Sequence, residues 1–181
     1  MNIETLKYPI GEFITPKNIL SKDITGWINE IETLPNKLNN LVINLTEDEL
    51  NTPYRPDGWM VRQVIHHIAD SHLNAYTRFH LALTENNPTI KPYAEAVWAE
   101  LNYLKQMPIS ISLNLITSTH ARLVLLLKSL SSADLEKTYT HPQYNKVFTL
   151  NQVVALYAWH GNHHLAHISQ LINRNFDKNS I

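Results

Sequence analysis

The sequence predicts an all-α domain of long helices joined by punctuated loops, on three observations. Glycine is scarce, with 4 in 181 residues; most of the 9 prolines collect between periodic stretches; and apolar residues recur at threes and fours over separate segments. A chain of this length with 44% hydrophobic residues suits one domain with a full core. Residues 1–181 therefore read as a single unit, with an arm at 1–16 and a tail at 175–181.

The arm carries Pro9-Ile10-Gly11 and Pro16, which break helices and predict an extended segment over the core. Ile19 to Leu45 is the first helix, its stripe running through Ile24, Ile28, Ile31, Leu38 and Val42. Pro35 falls inside it and predicts a kink or short break. The loop Asn51 to Gly58 delivers the chain into a second helix from about Trp59 to Leu83. Glu85 to Ile111 is the longest irregular region, a crossover or a lid, with a short helical patch from Tyr93 to Leu104. A third helix follows over Ser112 to Leu130, with Ser112 as its N-cap. Lys137 to Thr149 carries the β-branched and aromatic residues of a small hairpin, and the last helix runs from Leu150 to about Arg174.

Composition removes several function classes. A net charge of -1 and a pI near 6.8 give no basic footprint for nucleic acid or an anionic membrane, so small molecules are the expected partners. There is no cysteine, so a metal must sit among nitrogen and oxygen ligands, and any thiol chemistry needs an external thiol. The first 16 residues contain Glu4 and Glu12 and no continuous apolar run, which predicts neither signal peptide nor membrane span there and a cytoplasmic location by default.

The chemistry concentrates in Trp159-His160-Gly161-Asn162-His163-His164-Leu165-Ala166-His167. With Val153 at zero, His160 and His164 project to about -20° and 20°, mid-stripe, whereas His163 and His167 flank it at about -80° and -40°. Two imidazoles stacked on a core-facing stripe must satisfy four ring nitrogens, and a shared metal does so. A catalytic site with an open position needs a third ligand from another helix. On the second helix, His72 projects to about 20° and His67 to about -120°, so angle alone favours His72.

The stretch Gly58-Trp59-Met60-Val61-Arg62-Gln63-Val64-Ile65-His66-His67-Ile68-Ala69-Asp70, with the histidine cluster above, resembles the DinB superfamily, in its YfiT branch of metal-dependent hydrolases that includes a bacillithiol transferase. Tyr8 to Glu12, Thr52 to Arg55 and Thr84 to Tyr93 resemble that branch too. The resemblance implies a four-helix bundle, a homodimer, and a metal triad of His67, His160 and His164, with His72 near the site. Asp70 and Gln63 are candidates to orient His67, His163 is a near-site candidate, and Arg55 and Arg62, with Arg78 and Arg122 behind them, are candidates to hold an anionic thiol or carboxylate.

Three imidazoles suit one zinc or nickel ion per subunit. The last helix lacks the glutamate of His-Glu-x-x-His proteases, which removes the obvious base for hydrolysis. The leading expectation is transfer of a bacillithiol-like, low-molecular-weight thiol, held as thiolate, to electrophiles. Hydrolysis by a metal-activated water is the alternative, and a non-catalytic, metal-stabilised interaction protein is the third reading, supported if His72 or His163 closes the site as fourth ligand.

Overall fold

In the computed structural model, which describes residues 2–175, the arm opens with a short helix where an extended segment was expected. Asn2 caps α1 (Ile3–Lys7) by accepting from the Glu4 N–H at 3.1 Å, and the helix ends before Pro9. The breakers act after this first turn. Residues 176–181, most of the expected tail, lie outside the described residues.

The chain continues through α2 (Ser21–Val42), α3 (Glu47–Leu50), α4 (Val61–Thr84), α5 (Glu95–Ala99), α6 (Ile109–Ser129), α7 (Ser132–Leu135), β1 (Thr138–His141), β2 (Lys146–Thr149) and α8 (Leu150–Asn175). Helix α2 packs against α6 and α8, and α4 packs against the same two, so the order around the bundle is α2, α6, α4, α8. Consecutive long helices α2 and α4 stand diagonally apart, as do α6 and α8. Their connections must cross the bundle, which accounts for their length.

Two differences from the predicted elements have local causes. Helix α6 begins at Ile109, after Pro108 with φ -58°, and Ser112 does not cap it: its hydroxyl lies 2.8 Å from His66 Nδ1. Helix α2 runs through Pro35 without a break. Proline has no N–H, so the Ile31 carbonyl one turn back is left without its intrahelical donor. By length and composition α6 could cross a membrane, with mean hydropathy 1.3. In the bundle it packs on α2 and α4, and Lys128 reaches Glu32 of α2 at 2.7 Å.

The apolar core is divided in two. One cluster gathers Ile28, Phe79, Leu123 and Val153; the other gathers Leu38, Ile65, Ile116 and Ile168. Between them a polar layer crosses the bundle, with His72 on α4, His120 on α6 and His160, His163, His164 and His167 on α8. At this level α8 lies against α2 so closely that a Cβ on Gly161 would stand 2.5 Å from Leu34 Cδ2. The predicted hairpin forms as β1 antiparallel to β2, with Thr138 opposite Thr149. The Ile90 N–H donates to the Thr140 carbonyl at 3.0 Å, tying the α4–α6 connection to the hairpin beside the polar layer.

Candidate metal centre

Helix α8 presents His160 and His164 one turn apart, and α4 brings His67 across to them. Their ligand atoms all lie within 4.8 Å of one another, and the Nε2 atoms of His67 and His160 are 3.1 Å apart. Tetrahedral zinc with bonds of about 2.0–2.1 Å places nitrogens roughly 3.3 Å apart, so the donor set fits a divalent ion. No other group of three or more such side chains forms among the described residues.

The site's environment keeps the imidazoles neutral, the form that coordinates. Burial pushes His67 down to about 4 from the ordinary 6.5. His160 and His164 are held well below that range, first by burial and then by the neighbouring histidines. The indole of Trp59, its centroid 4.8 Å from that of His67, covers the outer side.

His72, favoured by angle, lies deeper and is fully buried. Its Nε2 is 3.1 Å from Nδ1 of His160 and its Nδ1 2.9 Å from His120, so both ring nitrogens are engaged behind the triad. The centre of α4's stripe faces His120 on α6, while the side of α4 that brings His67 to His160 is its flank. That flank of α4 carries His67, Ser71 and Arg78, which project within about 40° of one another.

Other candidates sit elsewhere. Gln63 accepts from the Met60 N–H and donates to the Ala99 carbonyl and Glu100, pinning the start of α4 to the α4–α6 connection. Arg62 is buried in a clamp with the Glu47 carboxylate, Asn51 and the Met107 carbonyl, and it lines no part of the histidine cavity. Arg55 lies over the Tyr54 ring and borders a neighbouring cleft with His163 and His167. Asp70 is half-buried, its carboxyl raised by burial, and makes no hydrogen bond to a triad histidine. His163 stacks on Trp159 with centroids 4.4 Å apart, outside the triad. Neither His72 nor His163 belongs to the group of three.

A cavity of about 330 Å³ opens on the triad, with Tyr93, Arg78, His141, Tyr157 and Trp159 in its wall. A groove of about 610 Å³ between α2, α6 and α7 touches none of the three histidines, so chemistry and not size assigns the site.

A family model described as the DinB superfamily matches residues 30–168, a span that takes in the whole triad. The chain belongs to the DinB superfamily. This DinB protein is 54% identical over 168 residues, 93% of its length and 96% of the relative's, to a protein of Oceanobacillus iheyensis whose name places it among the metal-dependent hydrolases. A similarly named protein of Bacillus mycoides is 51% identical, covering 95% of this chain and 98% of its own. Among solved structures, YfiT from Bacillus subtilis, described as a metal-dependent hydrolase with an unusual four-helix bundle topology, superposes with a TM-score of 0.92 at 43% identity. That match covers 94% of this chain and 97% of YfiT. The arrangement of the four long helices is therefore shared with YfiT. A mycothiol-dependent maleylpyruvate isomerase shares the fold, with a TM-score of 0.64 at 15% identity over 80% of this chain and 60% of its own.

Proposed function

We propose that His67, His160 and His164 hold one divalent ion per subunit, zinc or nickel, in an enzyme that transfers a bacillithiol-like low-molecular-weight thiol to an electrophile. The observation that carries this reading is a neutral three-nitrogen centre with no carboxylate among its ligating side chains. When bound, the ion supplies Lewis acidity, which lowers the pKa of a coordinated water or thiol and makes a nucleophile available near neutral pH. A thiol made acidic in this way needs little help from a base. The chain has no cysteine, so the thiol is a second substrate.

In the transfer, the thiol sulfur forms a bond to the electrophilic carbon, the leaving group departs with its electron pair, and the thiol proton passes to solvent. The protein orients the reactants: Trp59, Tyr93 and Trp159 wall the cavity with aromatic surface that excludes bulk water. Hydrolysis is the second reading. It is favoured by the names of the relatives and by Glu95, which stands in the cavity wall as a carboxylate able to take a proton from water. On the family resemblance we also propose a homodimer, which sedimentation equilibrium tests.

Elemental analysis of the purified protein comes first. The metal-loaded form is then assayed with bacillithiol and monochlorobimane, against a panel of esters without thiol. Metal-dependent conjugate formation is the expected result. Ester turnover with no conjugate would replace transfer by hydrolysis, and bound metal with neither activity would leave the interaction protein.

A further inference from the structure

The polar layer holds more histidine than a three-ligand site uses, and the surplus is ordered. His120 Nδ1 lies 2.7 Å from the Ile31 carbonyl oxygen, His120 Nε2 lies 2.9 Å from His72 Nδ1, and His72 Nε2 lies 3.1 Å from His160 Nδ1. On the other side, His167 Nε2 lies 3.0 Å from the Lys7 carbonyl oxygen and His167 Nδ1 lies 3.3 Å from His164 Nδ1. Both chains of rings end on a backbone carbonyl, which can only accept. Neither carbonyl is taken by its own helix: Pro35 withholds the N–H that would bond Ile31, and Lys7 is the last residue of α1.

From those ends the protons can be placed. The Ile31 carbonyl requires the proton of neutral His120 on Nδ1, leaving Nε2 to accept from His72 Nδ1–H. His72 Nε2 then accepts from His160 Nδ1–H, and the free lone pair of His160 is on Nε2, the atom facing His67. By the same steps Lys7 places the proton of His167 on Nε2 and that of His164 on Nδ1, freeing His164 Nε2. We propose that His120, His72 and His167 are positioning residues: two carbonyl-anchored histidine relays that preset the tautomer and ring orientation of His160 and His164 for coordination through Nε2. The proposal rests on the metal-site reading for its purpose, but the tautomers themselves do not. Because each relay stops at a carbonyl with no proton to pass on, it orients and does not conduct. His67 has no such relay, so it is the ligand whose tautomer is free to change.

Long-range nitrogen–proton NMR of the imidazole rings at neutral pH tests this. In metal-free wild type, His160 and His164 are expected as Nδ1–H tautomers, unchanged on loading with zinc, while any tautomer change falls on His67. His160 or His164 found as Nε2–H in the metal-free protein would overturn the proposal, whereas the expected tautomers with no zinc uptake would overturn the metal reading alone. His120→Phe is expected to release the tautomer of His160 and not that of His164, and His167→Phe the reverse, each with zinc affinity lower by roughly 10- to 100-fold. General destabilisation would disturb both rings in either variant, and that result would also overturn the proposal. The wild-type spectra decide the matter if a variant does not fold.

An independent observation concerns the cavity's far wall. Arg78 is 9% exposed and has no ion pair among the described residues; its Nη1 donates to the Tyr157 hydroxyl at 3.2 Å. A buried guanidinium with no carboxylate at ion-pair distance, although Glu95 stands in the same wall, carries a desolvation cost that a ligand's charge would offset. His141, in the same wall, has an Nδ1 with no hydrogen-bond partner. We infer that Arg78 and His141 form a subsite for the carboxylate of a small substrate whose other end reaches the triad, which deepens the proposed function by naming its substrate class. One guanidinium matches one negative charge, which favours carboxylate over a phosphate dianion.

Calorimetric titration with succinate, succinamide and inorganic phosphate tests it on metal-free wild type, Arg78→Lys, Arg78→Met and His160→Ala. Succinate alone is expected to bind, on the order of 10-fold more weakly in Arg78→Met and with partial recovery in Arg78→Lys. Retained binding in His160→Ala separates this subsite from the metal. Equal binding by wild type and Arg78→Met, or equal binding of succinamide, would overturn it, and preference for phosphate would overturn the carboxylate assignment. If Arg78→Met does not fold, the amide comparison on wild type decides.

Discussion

His160→Ala is expected to take the protein from one bound divalent ion per chain to none. His160 is the hub of the polar layer: its Nε2 is 3.1 Å from His67, its Nδ1 3.1 Å from His72, and its ring centroid 4.6 Å from that of His164. Removing it leaves a two-histidine remnant and also strips His72 Nε2, in a fully buried ring, of its partner. An unsatisfied buried group costs about 1–3 kcal/mol, so a lower melting temperature should accompany the metal loss. His67→Ala leaves the His72–His160 contact in place, so it should lose the metal with a smaller stability change. His72→Ala should keep a weaker site. Elemental analysis and thermal denaturation of the three variants read out the pattern, and stoichiometric metal in His160→Ala would remove that residue from the centre.

Acid is expected to unfold the metal-free protein between pH 6.5 and 4. His66, His67, His163 and His167 are each lowered from 6.5 to about 4, in every case chiefly by burial. The unfolded chain protonates these rings below 6.5 while the folded chain keeps them neutral to about 4, so unfolding takes up protons in that window. The stability they contribute is fully present above 6.5 and drains away as pH falls toward 4. Each ring adds a slope of up to ~1.4 kcal/mol per pH unit. Four such slopes are large against a total stability of about 5–15 kcal/mol. Circular dichroism against pH should therefore show cooperative loss of helix between pH 6.5 and 4, displaced to lower pH by bound metal. A metal-free protein equally stable at both ends of that window would contradict this account.

How much of this the sequence disclosed depends on whether the information is local. The helix-period stripes, the hairpin and the His160–His164 pair follow from spacing along one element. His67 is nominated by the motif against the angle, and the structure groups it with His160 and His164 because the centre of α4's stripe faces His120 on α6 and its flank meets α8. Gln63 and Arg62 show the opposite limit: their partners, Ala99, Glu100, Glu47 and Met107, lie on connections whose paths no periodicity specifies. His120 is the one histidine of α6, with no partner on its own helix, and Pro35 reads in the sequence only as a flaw in α2. Their connection, an unclaimed carbonyl meeting a ring nitrogen, exists only once α2 and α6 are packed.

The relays draw on residues 7, 31, 72, 120, 160, 164 and 167, so the site is assembled from almost the entire length of the polypeptide. During synthesis residues 7, 31, 72 and 120 are made before α8, and two of the three candidate ligands come only with α8. A chain that has not yet made α8 thus offers no competent chelate to the ions around it. Capture of an ion by the three histidines would wait until α8 is packed on α4, so that metal occupancy would report the assembled bundle.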